Sequence, residues 1–420
     1  MPQMDIRTDR SLASATTGSS HFVVVQVTAR PQALHSERAG LDLGIALDRS
    51  GSMTGTKIDL AREGVATSIR MLRSTDRFAL STFDHRVEVP FETSFATPMD
   101  KERAFSVIRR IQAGGSTDLF TGYLKAAQQV GFDMREDRLT RVLVITDGHT
   151  NHGVTDPNEI VEHVRQLRLR GLITSTIGLG SDFNEVLLTR MASAGGGNSY
   201  YVEHPQQLSD VLTGEVGDAL QVTERDVVLE VRVPKGTHVE PMDASRLTVV
   251  PGGLKVRLGD LVSEQMVRVV FEVRVPKSSK SPSTELEFVL SHADSTEPLR
   301  QHVAFQYANE LEYHRQAVDR SILQGVYATY SARARRSAAE LNAECNFEEA
   351  RTVMRQAHDR LRDLAQGDPL ASTYLDALEQ DIDLHGRAME AQESKRRRYE
   401  AEHRLRDRDQ DGRPRRWDGA

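Results

Sequence analysis

The spacing of apolar residues changes style three times along the chain. From residue 41 to about 215, short apolar runs alternate with stretches in which apolar positions recur every three or four residues. That alternation predicts an α/β domain with a doubly wound, mostly parallel sheet covered by helices on both faces. Leu41, Leu43, Gly44, Ile45, Ala46 and Leu47 form a nearly continuous apolar run, as a central strand requires, and Asp48 marks where it emerges. Ile58, Ala61, Val65, Ile69 and Leu72 then follow at helical spacing. Further strands are predicted over 77–83, 86–91, 141–146, 172–180 and 199–202, and helices over 101–111, 119–130, 184–194 and 205–220. Another helix starts at Asp156-Pro157, with Glu159 completing its start signal. The 141–146 run, RVLVIT, also ends in an aspartate, Asp147, followed by Gly148.

From 221 to 308 the pattern becomes a period-two alternation with turns, which predicts a small β-sandwich. The hexapeptide EVRVPK occurs at 230–235 and again at 272–277, each copy reading as a half-buried strand stopped by proline. The earlier run 22–29, FVVVQVTA, is a natural extra member of that sandwich; it and the linker after it occupy 21–40. From 309 to 406 the chain reads as helical. Val353, Ala357, Leu361 and Leu364 form one stripe and Leu375, Leu378, Ile382 and Met389 another, both read as packing seams. Residues 1–20 are expected to be a mobile tail and 407–420 a flexible one, leaving 41–220 as the α/β domain.

Composition narrows the functional classes. The 420 residues carry 54 Lys+Arg against 61 Asp+Glu, a net charge of −7 that offers no general attraction to nucleic acid or an anionic membrane. The run Lys395-Arg396-Arg397-Arg398 is flanked by Glu390, Glu393, Glu400 and Glu402, so it reads as a solvated helix face. The one cysteine, Cys345, has no intrachain partner for a disulfide, and no apolar run is long enough to span a bilayer. With no signal-peptide pattern at the N-terminus, a cytoplasmic location is expected. Asp407, Asp409, Asp411 and Gly412 imitate half of a calcium loop, but position twelve is Asp418 and Pro414 interrupts it, which argues against calcium binding there.

The candidate chemistry lies in Asp48-Arg49-Ser50-Gly51-Ser52, where oxygen-bearing residues alternate and Gly51 permits a tight turn. Oxygen ligands suit a hard cation such as Mg²⁺. The same residues also read as a polar strand-to-helix loop whose serines cap the next helix. Two other segments favour the metal: Gly114-Gly115-Ser116-Thr117-Asp118 offers a hydroxyl beside permissive glycines, and the 141–146 strand delivers Asp147. Strand carboxyl ends in an open sheet share one edge, where distant positions meet. Asp118, His149 and His152 are read as loop or hydrogen-bonding residues, because nitrogen ligands do not suit Mg²⁺.

Asp48, Ser50, Ser52, Thr117 and Asp147, in that order, resemble the three-part metal-ion-dependent adhesion site of von Willebrand factor A domains. The resemblance covers 41 to about 215. It implies Ser50, Ser52 and Thr117 binding Mg²⁺, or Mn²⁺, directly or through water, with Asp48 and Asp147 mostly behind them; Ca²⁺ is a further option. The wider order resembles bacterial proteins that join such a domain to a β-sandwich and a helical tail, in a layout related to inter-alpha-trypsin inhibitor heavy chains. In that layout the early strand pairs with the later sandwich.

A site built largely of neutral hydroxyls leaves cation charge uncompensated, so a carboxylate from a partner protein can complete the coordination. The expected function is a metal-dependent protein-interaction module, cytoplasmic and not an enzyme, serving as a scaffold or in signalling, with a kinase- or phosphatase-linked setting suggested by the bacterial relatives. Two alternatives stand beside it. One is a metal-dependent hydrolase, although no nucleophile–base pair or phosphate loop is evident in the sequence; the other is an assembly protein that self-associates through its C-terminal helices.

Overall fold

The computed structural model describes residues 2–416, apart from 33–37, 133, 136, 181, 244–246, 279, 296, 366, 410 and 411. The chain divides into two compact units, Leu34–Gln221 and the combination of Met1–Ala33 with Val222–Ala420.

In the first unit a six-stranded sheet runs Val87–Phe95, Arg77–Phe83, Gly40–Asp48, Arg138–Thr146, Leu172–Leu179, Gly196–Val202 from edge to edge. All neighbours are parallel except the Val87–Phe95 edge strand, which returns antiparallel to Arg77–Phe83. Gly40–Asp48 is central, and Leu41, Leu43, Ile45, Ala46 and Leu47 are fully buried, which is why that segment is apolar on both faces. Its one polar interruption, Asp42, is also fully buried; Arg77 Nε and Arg138 Nε each donate to Asp42 Oδ1, at 2.9 and 2.8 Å. These arginines anchor the sheet edge opposite the one where Asp48 emerges.

Two predicted boundaries move for local reasons. The helix expected over 101–111 is Pro98–Ile108, because Thr97 caps it, accepting from Asp100 N, and Pro98 fits the first turn. The segment expected as one helix over 205–220 begins with a 3₁₀ turn, Pro205–Gln207, before Leu208–Ala219.

In the second unit two sheets face each other. One runs Gln3–Thr8, Ser19–Thr28, Met266–Val275, His238–Pro241; the other runs Leu247–Val250, Gly253–Val262, Val222–Arg232, Ser283–Ser291, Leu299–Ala308, Leu12–Ser14. Val23, Val25 and Val27 point into the core between the sheets together with Val269, Phe271 and Val273. Phe22, Val24 and Val270 point the other way and pack against the helices, in a second core with Ile322, Val326, Tyr327, Met354, Leu361 and Leu378. The run FVVVQV is continuous because both of its faces are covered.

Four expectations are corrected here. Residues 1–20 are not a mobile tail: Gln3–Thr8 pairs antiparallel with Ser19–Thr28, and Leu12–Ser14 pairs with the end of Leu299–Ala308. Their apolar positions, Met4 and Ile6, alternate over too few residues to stand out from polar flanks. The regions 221–308 and 309–406 are not separate domains, since the helices share a core with one sheet of the sandwich. Lys395-Arg396-Arg397-Arg398, in the helix Ala391–Leu405, is not simply a solvated face. Lys395 and Arg398 are buried, and Arg397 bridges Asp381 at 2.8 Å and Glu393 at 2.6 Å. The start of 407–420 is tied down: Met266 N donates to Arg415 O, Arg268 N donates to Asp407 Oδ2, and Arg408 is buried. Of the calcium-loop imitation, Asp411 and Asp418 lie outside the described residues; Asp409 Oδ1 accepts from Arg413 N at 2.8 Å.

Candidate metal centre

Asp48 is the last residue of the central strand, and the chain turns at once: Arg49 N still donates to Phe83 O of the neighbouring strand. Two backbone bonds then fasten this turn to the glycine loop. Gly51 N donates to Gly115 O at 2.9 Å and Gly114 N donates to Arg49 O at 2.8 Å. Gly115 has φ +85°, and a Cβ there would lie 2.2 Å from His85 Nδ1, so the loop's path depends on glycine at that position. Thr117 is clamped from the third segment: its N–H donates to Asn151 Oδ1 at 2.8 Å, and its carbonyl accepts from Asn151 N and His152 N. Asp118 accepts from Thr121 N and caps the helix Leu119–Gly131. His152 thus acts through its backbone.

The side chains form one connected group. Ser50 Oγ lies 3.1 Å from Ser52 Oγ, and the Ser52 hydroxyl donates to Asp147 Oδ1 at 2.6 Å. Asp48 Oδ1 accepts from Ser50 N at 2.7 Å, while Asp48 Oδ2 accepts from the Thr146 hydroxyl at 2.5 Å. Asp147 Oδ2 is paired with the ammonium of Lys57. Asp48, Ser50, Thr117 and Asp147 are buried, whereas Ser52 is exposed, so the group opens to solvent on one side. Burial pushes the Asp48 carboxyl up to about 6, against the hydrogen bonds from Thr146 and Ser50, and the neighbouring Asp147 charge adds to the rise.

Gly148 supplies a geometric test of what this group can hold. A Cβ built on it would lie 3.3 Å from Thr117 Oγ1, 3.6 Å from Ser52 Oγ and 4.0 Å from Asp48 Oδ2. Oxygens from two chain segments, 48–52 and Thr117, therefore line one hollow beside Gly148 of the third, and a single methyl group would enter it. Both oxygens of each carboxylate already accept from protein donors, so the hydroxyls are the groups placed to face a small hard cation, with the carboxylates polarising them from behind. The donor set is all oxygen and fits Mg²⁺ or Mn²⁺. Among the described residues no group of three or more His, Cys, Asp or Glu side chains is arranged to hold a metal, and this centre, with two carboxylates, depends on its hydroxyls.

Three contributors are invisible to sequence reasoning. Lys57 sits in the first turn of the helix Thr56–Met71, where a lysine reads as a solvated side chain. Thr146 reads as an ordinary last strand residue and Asn151 as loop. Proximity to the two strand ends was the available signal.

The second unit also holds a serine beside a histidine: Ser19 Oγ lies 2.8 Å from His21 Nε2. His21 is fully buried, its pKa is lowered by that burial to about 4, and its Nδ1 is 3.9 Å from Asp9, beyond hydrogen-bond reach. So weak and inaccessible a base is not poised to activate Ser19 at neutral pH.

The sheet order and the hydroxyl-rich strand-end group define the class of domain. Residues 42–214 match the model of the von Willebrand factor type A domain, and the chain carries such a domain in a VWA-type α/β fold with a helical C-terminal region. Domains of this class commonly mediate metal-dependent protein–protein interactions. Among particular proteins, an uncharacterized Synechocystis protein, sll0103, is 28% identical over 61% of this chain and 62% of its own length. The Escherichia coli protein YfbK is 29% identical over 45% of this chain and 33% of its own. Pig inter-alpha-trypsin inhibitor heavy chain H4 is 32% identical over 36% of this chain and 17% of its own length. The chain thus spans less than two thirds of these relatives. A von Willebrand factor type A protein from Catenulispora acidiphila shares the fold across 95% of this chain and 96% of its own, with TM-score 0.73 at 16% identity. The ArnB paralog VWA2 from Sulfolobus acidocaldarius does so over 92% and 96%, with TM-score 0.60 at 18% identity. No helix among the described residues is long and apolar enough to cross a membrane.

Proposed function

We propose that the chain is a metal-dependent protein-interaction module in which Asp48, Ser50, Ser52, Thr117 and Asp147 form the binding centre for Mg²⁺ or Mn²⁺. The observation that supports this most is the hollow at Gly148, where oxygens of the 48–52 loop and of Thr117 converge beside the Asp147-Gly148 strand end and Ser52 leaves one side open. The metal, when bound, supplies positive charge at that opening. Ser50, Ser52 and Thr117 present hydroxyl oxygens toward it, Asp48 and Asp147 hold and polarise those hydroxyls, and the exposed side takes an Asp or Glu carboxylate of a partner protein. The single free cysteine, exposed at Cys345, suits a cytoplasmic setting, and a scaffold or signalling role, including one linked to a kinase or phosphatase, is consistent with an interaction module.

Affinity capture with the full chain tests the reading. Partners should be retained with Mg²⁺, released by EDTA and absent with Asp48→Ala; retention indifferent to metal refutes it. Self-association through the C-terminal helices is the weaker alternative, because their apolar stripes are used against the sandwich sheet. Hydrolysis is likewise weaker, since the Ser19–His21 pair is not poised for it; Mg²⁺-dependent phosphatase turnover lost in Asp48→Ala would revive it.

A further inference from the structure

The ion pair between Lys57 and Asp147 is the part of this group that a metal site does not need. Asp147 is fully buried, and one of its oxygens already accepts from Ser52 at 2.6 Å; the other is neutralised by Lys57, which reaches it from the first turn of the next helix with its side chain 27% exposed. The tip of Lys57 also lies 3.8 Å from where a Cβ on Gly180 would sit, so the ammonium bridges the ends of two adjacent strands, Arg138–Thr146 and Leu172–Leu179. It is therefore built into the strand-end surface.

We infer that Lys57 is a specificity-determining residue: it weakens the site's hold on the cation and makes the loaded site select an anionic carboxylate over a neutral oxygen ligand. This rests on the metal-dependent reading proposed above. The argument is one of charge. The hydroxyls are neutral, so the carboxylates of Asp48 and Asp147 and the ammonium of Lys57 leave the group with one net negative charge. A divalent ion then turns it to one net positive charge. With a neutral residue at 57 the empty group would carry two negative charges and the loaded one would be neutral. The nearest other basic side chain on the same turn, Arg49, is spent on Asp84 at 3.1 Å and Glu88 at 3.0 Å, and does not substitute for Lys57. Charges a few ångströms apart in a partly buried site, like or unlike, interact far more strongly than in water, so one charge moves both equilibria by large factors. Lys57 thus trades metal affinity for ligand charge selectivity.

The test uses the full chain as wild type, Lys57→Met and Lys57→Arg. Mn²⁺ affinity is read from the electron paramagnetic resonance signal of free Mn²⁺, and ligand preference from the proton relaxation of acetate against its neutral isostere acetamide in the presence of saturated protein. Lys57→Met is expected to bind Mn²⁺ at least tenfold more tightly and to lose most of the acetate-over-acetamide preference, while Lys57→Arg keeps wild-type values within about threefold in both. Mn²⁺ affinity in Lys57→Met within twofold of wild type, or an unchanged acetate preference, overturns the inference. Wild-type protein that binds no Mn²⁺ overturns the metal reading beneath it, a separately visible outcome. Circular dichroism melts of the three proteins confirm that each is folded when the comparison is made.

Discussion

Substituting Gly148 by alanine separates the metal site from the fold. The added methyl meets Thr117 Oγ1 at 3.3 Å, Ser52 Oγ at 3.6 Å and Asp48 Oδ2 at 4.0 Å. Only the first contact is tight, and a shift of a few tenths of an ångström relieves it. Gly148 does not occupy the left-handed region, so alanine fits its backbone, and the loss of unfolded-state freedom contributes about 0.4–1 kcal/mol of stability. The net change in unfolding free energy should stay within about 1 kcal/mol, a shift of roughly 2–4 °C in Tm for a domain of this size. The cation's surroundings suffer more, because an apolar group now occupies the hollow that the hydroxyls and the ion's remaining waters share. Changes just behind metal ligands typically cost 10–100-fold in affinity, about 1.4–2.8 kcal/mol. Mn²⁺ titration followed by electron paramagnetic resonance, with a calorimetric melt of the same sample, gives both numbers. Wild-type affinity in Gly148→Ala would show that the hollow is not where the ion sits. A collapse of Tm by 10 °C would show that the glycine serves the fold instead.

Other consequences follow from the same geometry and from the second unit. Metal binding needs the Asp48 carboxylate, which sits at about 6 in the free protein, so Mg²⁺ affinity should fall about tenfold per pH unit below pH 6 and be flat above it; a pH-independent affinity refutes the assignment. Burial holds His21 and His385 neutral down to about 4, while in the unfolded chain they titrate near 6.5. The unfolded state therefore takes up protons first, and the stability these residues contribute is complete above pH 6.5 and lost as pH falls from there towards 4, by up to about 3 kcal/mol each. Urea midpoints at pH 7.5 and 4.5, with the single Phe replacements reducing the difference, check this. Asp42→Ala strands Arg77 and Arg138 at the buried strand start and should destabilise the first unit by about 3–5 kcal/mol without touching the opposite edge; a chemical-denaturation loss under 1 kcal/mol refutes that role.

Strands buried on both sides announce themselves, because every residue must be apolar; the runs ending at Asp48 and Asp147 are legible for that reason, and a carboxylate ending such a run is a strong mark of a sheet edge. Thr117 is legible from its glycine neighbours. What surrounds these residues is not. Lys57 obeys the rule for a solvated helix position, and only the placement of its helix beside Asp147 gives it a partner. The short strands Gln3–Thr8 and Leu12–Ser14 are held by ladders to distant residues, which leave almost no local pattern. Half-buried Arg397 and buried Arg398 of Ala391–Leu405 look solvated because their partners, Asp381 and Glu340, lie on other helices.

The strand Ser19–Thr28 pairs on one side with Gln3–Thr8, made before it, but its other partner, Met266–Val275, comes long after, and the whole α/β unit is made in between. Its inward valines therefore lack the full facing sheet until Phe305 has been made, and Phe22 and Val24 lack their helical cover until Leu378, while the α/β unit is complete by residue 221. An apolar, β-rich strand thus waits long for its shelter. Ribosome-bound intermediates of this chain should depend on holdase chaperones until the helices through Leu378 have emerged and much less beyond that point.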